Sequence, residues 1–581
     1  MACLTLNALQ FTMEASQSEE TVHMRKDGVL SYLKIWLAAS AVALAPACGG
    51  GGGSGGASPP PPPPPPPAAA GPTWTQGVYA SASIFADKCQ VVRTGVDIEG
   101  NAFPDQAGSL LQEMFWLRSW THETYLWPDE VTDRNPSTYT DRIAYFDTQK
   151  TFTTTASGEN KDDFHFNQTT EEYLEQRNST ALPGYGAAFA VFSSTPPRDI
   201  RIRYTEPGSP ASESSLGQPK LVRGSRILQI DGIDVVNGAG TQTEVDQLNR
   251  ALSPQTVGEQ HDFVVRDPGS STDRAISLAA ANIAPKPVNR FSTIDTSAGK
   301  VGYVLFNTFS PFASEKDIAD TITSLKASGI NDLVLDLRYN GGGLLAVSSQ
   351  LGYMVAGPAR TQNRTFEQLR FNAAAGSRNP VTGAFNDPIP FYSTGLGFSL
   401  TDGQPLPRLD LPRVYILTTA RTCSASEALV NGLRGVDVDA VLIGDTTCGK
   451  PFGFYPASNC GETYYSIQFQ GVNDKGFGDY TDGFAPQNSS NAFAVKAPGC
   501  TVADDFSREL GDTSEALLAA ALQHRLDGTC PAVPVSSQSP QSMSVSKATT
   551  ADGPPLELPG QSLSETNRDM SMPRTKWSTG R

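Results

Sequence analysis

Apolar positions recur every three or four residues from Ser109 to Trp127 (SLLQEMFWLRSWTHETYLW), with Leu110, Met114, Leu117, Trp120 and Tyr125 on one face. That period belongs to an amphipathic helix and predicts a small helical region whose Trp and Tyr rings serve as core. Asn135 to Glu175 is polar, and Thr153 to Lys161 within it reads as a loop. Between Pro183 and Ala281 the period shortens to two. Gly184 to Phe192, Ile200 to Tyr204, Gly224 to Asp234 and His261 to Arg266 read as strands, with a helix over Thr243 to Leu252. From Ile294 onward, short wholly apolar runs alternate with helical periods. Val301 to Phe306, Leu333 to Leu337, Val414 to Thr418 and Ala440 to Ile443 are strand-like, while Ser314 to Ala327 and about Ser424 to Leu433 are helical. That alternation predicts an α/β layer whose strands are covered by helices. After Cys530 no period remains, and the Ser/Pro/Thr-rich end reads as a disordered tail.

Composition changes this picture mainly at the N-terminus. Of the 53 Gly and 43 Pro in the 581-residue chain, 18 fall between Gly49 and Pro72, so the excess over an ordinary composition is a local linker and not a fibrous or low-complexity character. Before it, Ile35 to Ala47 is an apolar run preceded by Arg25, Lys26 and Lys34. It is too short to span a bilayer and has the basic and apolar regions of a secretory signal. The run ends at Ala45-Pro46-Ala47-Cys48, which resembles a bacterial lipoprotein signal with Cys48 as the lipidated residue; Met24 would then be the natural start. Gly49 to Gly56 and the prolines Pro59 to Pro67 make a flexible piece and a semi-rigid spacer of roughly 28 Å.

Beyond the leader, six cysteines remain: Cys89, Cys423, Cys448, Cys460, Cys500 and Cys530. An even number in an exported chain predicts disulfides, with the pairing open. The net charge of −16 and the absence of any Lys/Arg cluster exclude a nucleic-acid partner. No zinc-type Cys/His spacing and no phosphate-cradling glycine loop occurs, so no metal or cofactor is expected.

The chemistry-bearing residues lie between 294 and 530, where His524 is the only histidine, so a serine nucleophile there needs another base. Ser424, in Thr422-Cys423-Ser424-Ala425-Ser426-Glu427, follows one predicted strand and opens a helix; by itself Ser424 with Glu427 is a capping box. Lys450 follows the next strand in Asp445-Thr446-Thr447-Cys448-Gly449-Lys450-Pro451-Phe452-Gly453-Phe454, with no acid after Asp445. A lysine in apolar surroundings has its charged form disfavoured and can act as a general base toward serine. At the end of a third strand, Leu335-Asp336-Leu337-Arg338-Tyr339-Asn340-Gly341-Gly342-Gly343 supplies glycines that let backbone N–H groups face an oxyanion.

In combination, LDLRYNGGG, TCSASEAL and IGDTTCGK resemble the carboxyl-terminal processing (tail-specific) proteases, serine peptidases with a Ser/Lys dyad. The resemblance spans about residues 181 to 500. It implies a crotonase-like α/β core, an inserted PDZ-like β domain and a small N-terminal helical domain. It further implies Ser424 as nucleophile, Lys450 as base, the N–H groups of Ala425 and Gly342 as oxyanion donors, and Glu427 and Thr447 as supporting residues. Gly184, Tyr185 and Gly186 would form the PDZ loop that takes a peptide carboxylate. Two departures stand out. Phe454 occupies the place of a glutamine that commonly orients the lysine, a role Gln468 or Gln470 from a later strand could take, and Cys423 adjoins the nucleophile.

The expected organisation is a leader over 1–48, a linker over 49–73, a helical domain over 74–180, a PDZ-like domain over 181–285, a catalytic domain over 286–530 and a tail over 531–581. The expected function is endoproteolysis of unfolded or C-terminally exposed proteins outside the cytoplasm, on a membrane through the Cys48 lipid. The alternatives are a catalytically silent peptide-binding lipoprotein and a Cys423/His524 nucleophile pair.

Overall fold

Helix α1 (Leu110–Thr124) starts at an extended Ser109 whose hydroxyl accepts the Gln112 N–H at 3.3 Å, satisfying one of the free amides of the first turn. The computed structural model describes residues 71–215, 217–532 and Leu556, so the leader, Cys48 and the proline spacer lie outside the described residues. The Trp116 and Trp120 rings stack at 5.3 Å and join Phe115, Leu117, Tyr145, Phe146 and the distant Tyr464 in one buried cluster. Strand β1 (Phe166–Thr169) pairs antiparallel with residues 462–465, and Cys89 is bridged to Cys460. The N-terminal region therefore shares both a sheet and a core with residues late in the chain.

The alternating segment forms an antiparallel sheet. Strands β2 (Ala187–Ser193), β3 (Asp199–Thr205), β4 (Arg226–Ile230), β5 (Gln260–Arg266) and β6 (Asp273–Ala279) lie in the order β6-β5-β4-β3-β2. Asp231 and Gly232 both have positive φ, which makes the tight turn after β4 that the Asp-Gly pair predicts. Helix α2 (Gln242–Leu252), opened by a Thr241/Glu244 capping box, buries Val245, Leu248 and Leu252 against the sheet. The tail contradicts its reading as uniformly unstructured at one point. Leu556 is buried in this same core, and its N–H donates to the Ser194 carbonyl at 3.0 Å.

The remaining chain builds a six-stranded sheet from β7 (Val288–Thr296), β8 (Gly299–Phe306), β9 (Asp332–Asp336), β10 (Arg413–Thr418), β11 (Asp439–Gly444) and β12 (Gly499–Thr501), in that order. The first two form an antiparallel hairpin, and β8 to β12 run parallel. Alternate residues feed two separate cores. Leu333, Leu335, Val414, Ile416, Ala440 and Leu442 face helices α3 (Ala313–Ala327), α4 (Leu345–Ala356) and α5 (Ala425–Gly435). Val334, Tyr415, Leu417, Val441 and Ile443 face helix α6 (Ala516–Asp527). Burial on both faces is why these strands read as continuous apolar runs.

Candidate active site

Register alone brings three loops together. Asp336 pairs with Leu417 and Thr418 with Gly444, so β9, β10 and β11 end on one edge of the sheet. The loops that leave them carry Asn340 to Gly343, Thr422 to Ser424 and Thr446 to Lys450. The carboxyl ends of parallel strands are where open α/β sheets place their ligands.

Ser424 ends the loop between β10 and α5, immediately before the helix, and its backbone sits at φ +53°, ψ −109°. A non-glycine residue in that region carries about 1–3 kcal/mol of strain and persists only where its surroundings hold it. Its hydroxyl is fully buried and has no hydrogen-bond partner among the described residues. The Ala425 N–H directly follows as the first amide of α5, on the positive end of the helix.

Glu427 organises the pair. Its buried carboxylate accepts the Thr447 hydroxyl at 2.5 Å and the Gly449 N–H at 2.8 Å on Oε1, and the N–H groups of Ser424 at 3.0 Å and Lys450 at 2.8 Å on Oε2. The serine turn and the lysine loop thus share a single oxygen atom. Burial pushes the Glu427 carboxyl pKa up, and these four donors partly oppose that rise. Lys450 is 1% exposed, and its Nζ lies 4.0 Å from the Phe454 ring centre and 5.2 Å from that of Phe164. Phe454, in the place of the expected glutamine, therefore presents a ring face to the amine.

The glycine loop is placed as expected but is differently occupied. A side chain on Gly342, at φ +110°, would put its Cβ 2.9 Å from the Ser424 Cβ and 3.0 Å from the Ala425 nitrogen, so only glycine lets the loop lie this close. Its N–H, however, is donated to Asn340 Oδ1 at 2.9 Å and in this conformation is not open to an oxyanion. A short Asx turn thus competes for the amide expected to face an oxyanion.

Sequence reasoning missed Asn340 itself. Its carbonyl accepts the Cys423 N–H at 3.1 Å and the Ser426 hydroxyl at 3.0 Å, while its Nδ2 donates to the Phe306 carbonyl at 2.9 Å. Its position directly before three glycines was the available signal. Phe164 was also missed, because nothing local links a residue of the polar N-terminal stretch to Lys450.

Arg338 anchors the glycine loop from beneath. Wholly buried, it donates to Asp336, to Asp504 and, through two nitrogens, to Glu515 at 2.8–3.0 Å. Asp504 also accepts from the Tyr339 hydroxyl and from Arg223, which stands three residues before β4. Its burial raises the carboxyl pKa, but Arg223, Arg338 and Tyr339 together outweigh that and hold it below the usual range.

The other candidates divide. Gln468 accepts the Tyr455 N–H with Oε1, and its buried Nε2 has no partner among the described residues, whereas Gln470 is turned to the Gly478 carbonyl. Cys423 is bonded to Cys448, which removes the thiol that a Cys423/His524 pair requires. The cluster of Cys423, Glu427 and Cys448 has metal-ligand spacing, but both sulfurs are used in that bond. Tyr185 is a core residue whose hydroxyl donates to the Ala251 carbonyl, and Gly186 turns at φ +70° beside it.

Residues 300–453 match the pattern of peptidase family S41. Over 284 residues the chain is 30% identical to a carboxyl-terminal-processing protease of Picosynechococcus, covering 48% of this chain and 58% of that protein. Over 287 residues it is 27% identical to one from Synechocystis, covering 48% and 56%. The chain thus spans little more than half the length of these curated relatives. A crystal structure of a Bacteroides fragilis chain assigned to the S41 proteases superposes with a TM-score of 0.53 at 23% identity, covering 71% of this chain and 97% of that one, which shows a shared fold.

Proposed function

We propose, from the match of residues 300–453 to peptidase family S41, that the protein is a serine endopeptidase in which Ser424 attacks and Lys450 is the base. The observation that carries this reading is the single Glu427 oxygen that accepts the N–H groups of both residues. In this reading the amine of Lys450, 1% exposed, takes the Ser424 proton. Ser424 Oγ then adds to a peptide carbonyl, and the Ala425 N–H stabilises the oxyanion. The Gly342 N–H joins it only after leaving Asn340. Lys450 returns the proton to the departing amine, and water resolves the acyl-enzyme. Since Ser424 is fully buried in this conformation, substrate entry requires that the site open.

We read the two-faced sheet as a crotonase-like core over 286–530 and the β2–β6 sheet with α2 as a PDZ-like domain over 181–285. In that reading an extended peptide adds beside β2, an edge strand of the sheet, with its carboxylate near Gly184 to Gly186. The substrates would be unfolded or C-terminally exposed proteins. Three disulfides suit an oxidising compartment outside the cytoplasm, to which the signal-like leader and Cys48 would direct and anchor the chain.

The test is casein cleavage by the purified full chain against Ser424→Ala and Lys450→Ala. Loss of cleavage in both variants is expected. An inert parent, or variants that keep its activity, would leave the silent peptide-binding protein as the better reading. Amidating the C-terminus of a model substrate should slow its processing, and indifference would remove the carboxylate-loop assignment.

A further inference from the structure

The Cys423–Cys448 disulfide crosses the site, with 5.2 Å between the two Cα atoms. Cys423 immediately precedes Ser424, and Cys448 stands two residues before Lys450. Resting on the Ser424/Lys450 reading above, we propose that this disulfide is the positioning bond of the pair, so that the peptidase works when the bond is oxidised and is turned down when a dithiol reduces it.

The argument begins with what else holds the two loops. Glu427 binds the backbone of both, and the Cys448 N–H donates to the Thr422 carbonyl at 3.1 Å. These hydrogen bonds do not involve sulfur and survive reduction, so the fold persists. What they leave less constrained is the strained Ser424 backbone, which tends to relax toward an ordinary conformation. On its N-terminal side that backbone is fixed by Cys423, through its N–H to Asn340 and its sulfur to Cys448. A proton transfer from serine to lysine depends steeply on their separation, and a displacement near 1 Å lowers rates on the order of a hundred-fold.

Access also fits. Cys423 is fully buried, while Cys448 is partly exposed and offers the sulfur a reductant can reach. A thiolate of the dithiol attacks Cys448 Sγ and expels Cys423 as thiolate. The second thiol then displaces Cys448 and closes a cyclic disulfide. In sum, the dithiol gives up two electrons and two protons, and Cys423 and Cys448 become thiols.

The experiment uses the full chain in oxidised, dithiothreitol-reduced and reoxidised forms, beside a Cys423→Ser/Cys448→Ser double variant. Readouts are kcat and KM on a quenched-fluorescent unfolded peptide, the rate of fluorophosphonate labelling at Ser424, and circular dichroism. The expected result is a ten- to hundred-fold fall in kcat and in labelling rate on reduction, with KM and the dichroism spectrum nearly unchanged and recovery on reoxidation. The double variant should sit at the reduced level and ignore dithiothreitol, which separates this bond from Cys89–Cys460 and Cys500–Cys530. A double variant as active as the oxidised parent overturns the proposal, as does a loss confined to KM or accompanied by unfolding. Failure of the underlying reading shows separately, before any reductant is added, as an inactive oxidised parent or an active Ser424→Ala.

Discussion

Replacing Glu427 by glutamine isolates the contribution of one carboxylate to the whole site. The side chain keeps its size, but one of two oxygens that together accept four donors becomes an NH2 group. If that group faces Ser424 and Lys450, two buried amides lose their acceptor at once. The less costly orientation turns it toward Thr447 and Gly449, where the hydroxyl can rotate and only the Gly449 N–H is orphaned. An orphaned buried amide costs about 1–3 kcal/mol, and three charge-assisted bonds become ordinary ones at roughly 0.5–1 kcal/mol each. Against this, the desolvation that raises the Glu427 pKa is relieved, which returns a part of the loss. A net destabilisation of about 2–4 kcal/mol follows, well inside the stability of a typical domain. Urea unfolding of parent and Glu427→Gln at one pH measures it, and kcat on an unfolded peptide should fall on the order of a hundred-fold because the serine and lysine loops no longer share a charged anchor. A variant within about 1 kcal/mol of the parent and equally fast would refute the claim that this carboxylate holds the two loops together.

Other outcomes follow from groups outside the pair. Glu367 is a wholly buried carboxylic acid pushed up by desolvation from 4.5 to about 8. Between those values the unfolded chain releases the proton while the folded chain keeps it, so stability falls by up to roughly 3–5 kcal/mol as pH rises. Glu367→Gln should flatten that slope in urea unfolding between pH 5 and pH 8, and an unchanged slope would sink the assignment. Asp504→Ala leaves Arg223 and Arg338 buried without their shared partner and should cost about 3–5 kcal/mol; limited proteolysis should then cut first near Arg223, and a protection pattern like the parent's would count against the link. Leu556→Asp should lower the melting temperature of the β2–β6 sheet region by removing about 1.5–3 kcal/mol of burial, and hydrogen exchange at Ser194 and its neighbours should speed up if Leu556 packs there.

The elements were legible because their periods are local. Alternation between two and three-to-four placed β2 to β5, β8 to β11 and helices α2, α3 and α5, with ends one residue off at Gln242–Leu252 and Asp439–Gly444, whereas β6, β7, β12, α4 and α6 were not singled out. Ser424 and Lys450 could be singled out because each follows a strand in a motif that carries its own chemistry. What eluded the sequence depends on distance through space. Tyr464 closing the cluster of Trp116 and Trp120, strand Phe166–Thr169 pairing 295 residues downstream, and Phe164 beside Lys450 leave no mark within any short window.

Residue order alone therefore determined the α/β layering, the three motif loops and an even set of cysteines prepared for oxidation. Tertiary structure decided which cysteines meet, that the Gly342 amide is held by Asn340, and that Glu427 is more than a helix cap. Parallel register brings three strand ends to one edge, and at that edge a carboxylate from one loop can serve amides from another. A capping motif states only what its own helix needs. Which other donors reach the same oxygen is set by the packing of strands that lie far apart in the chain.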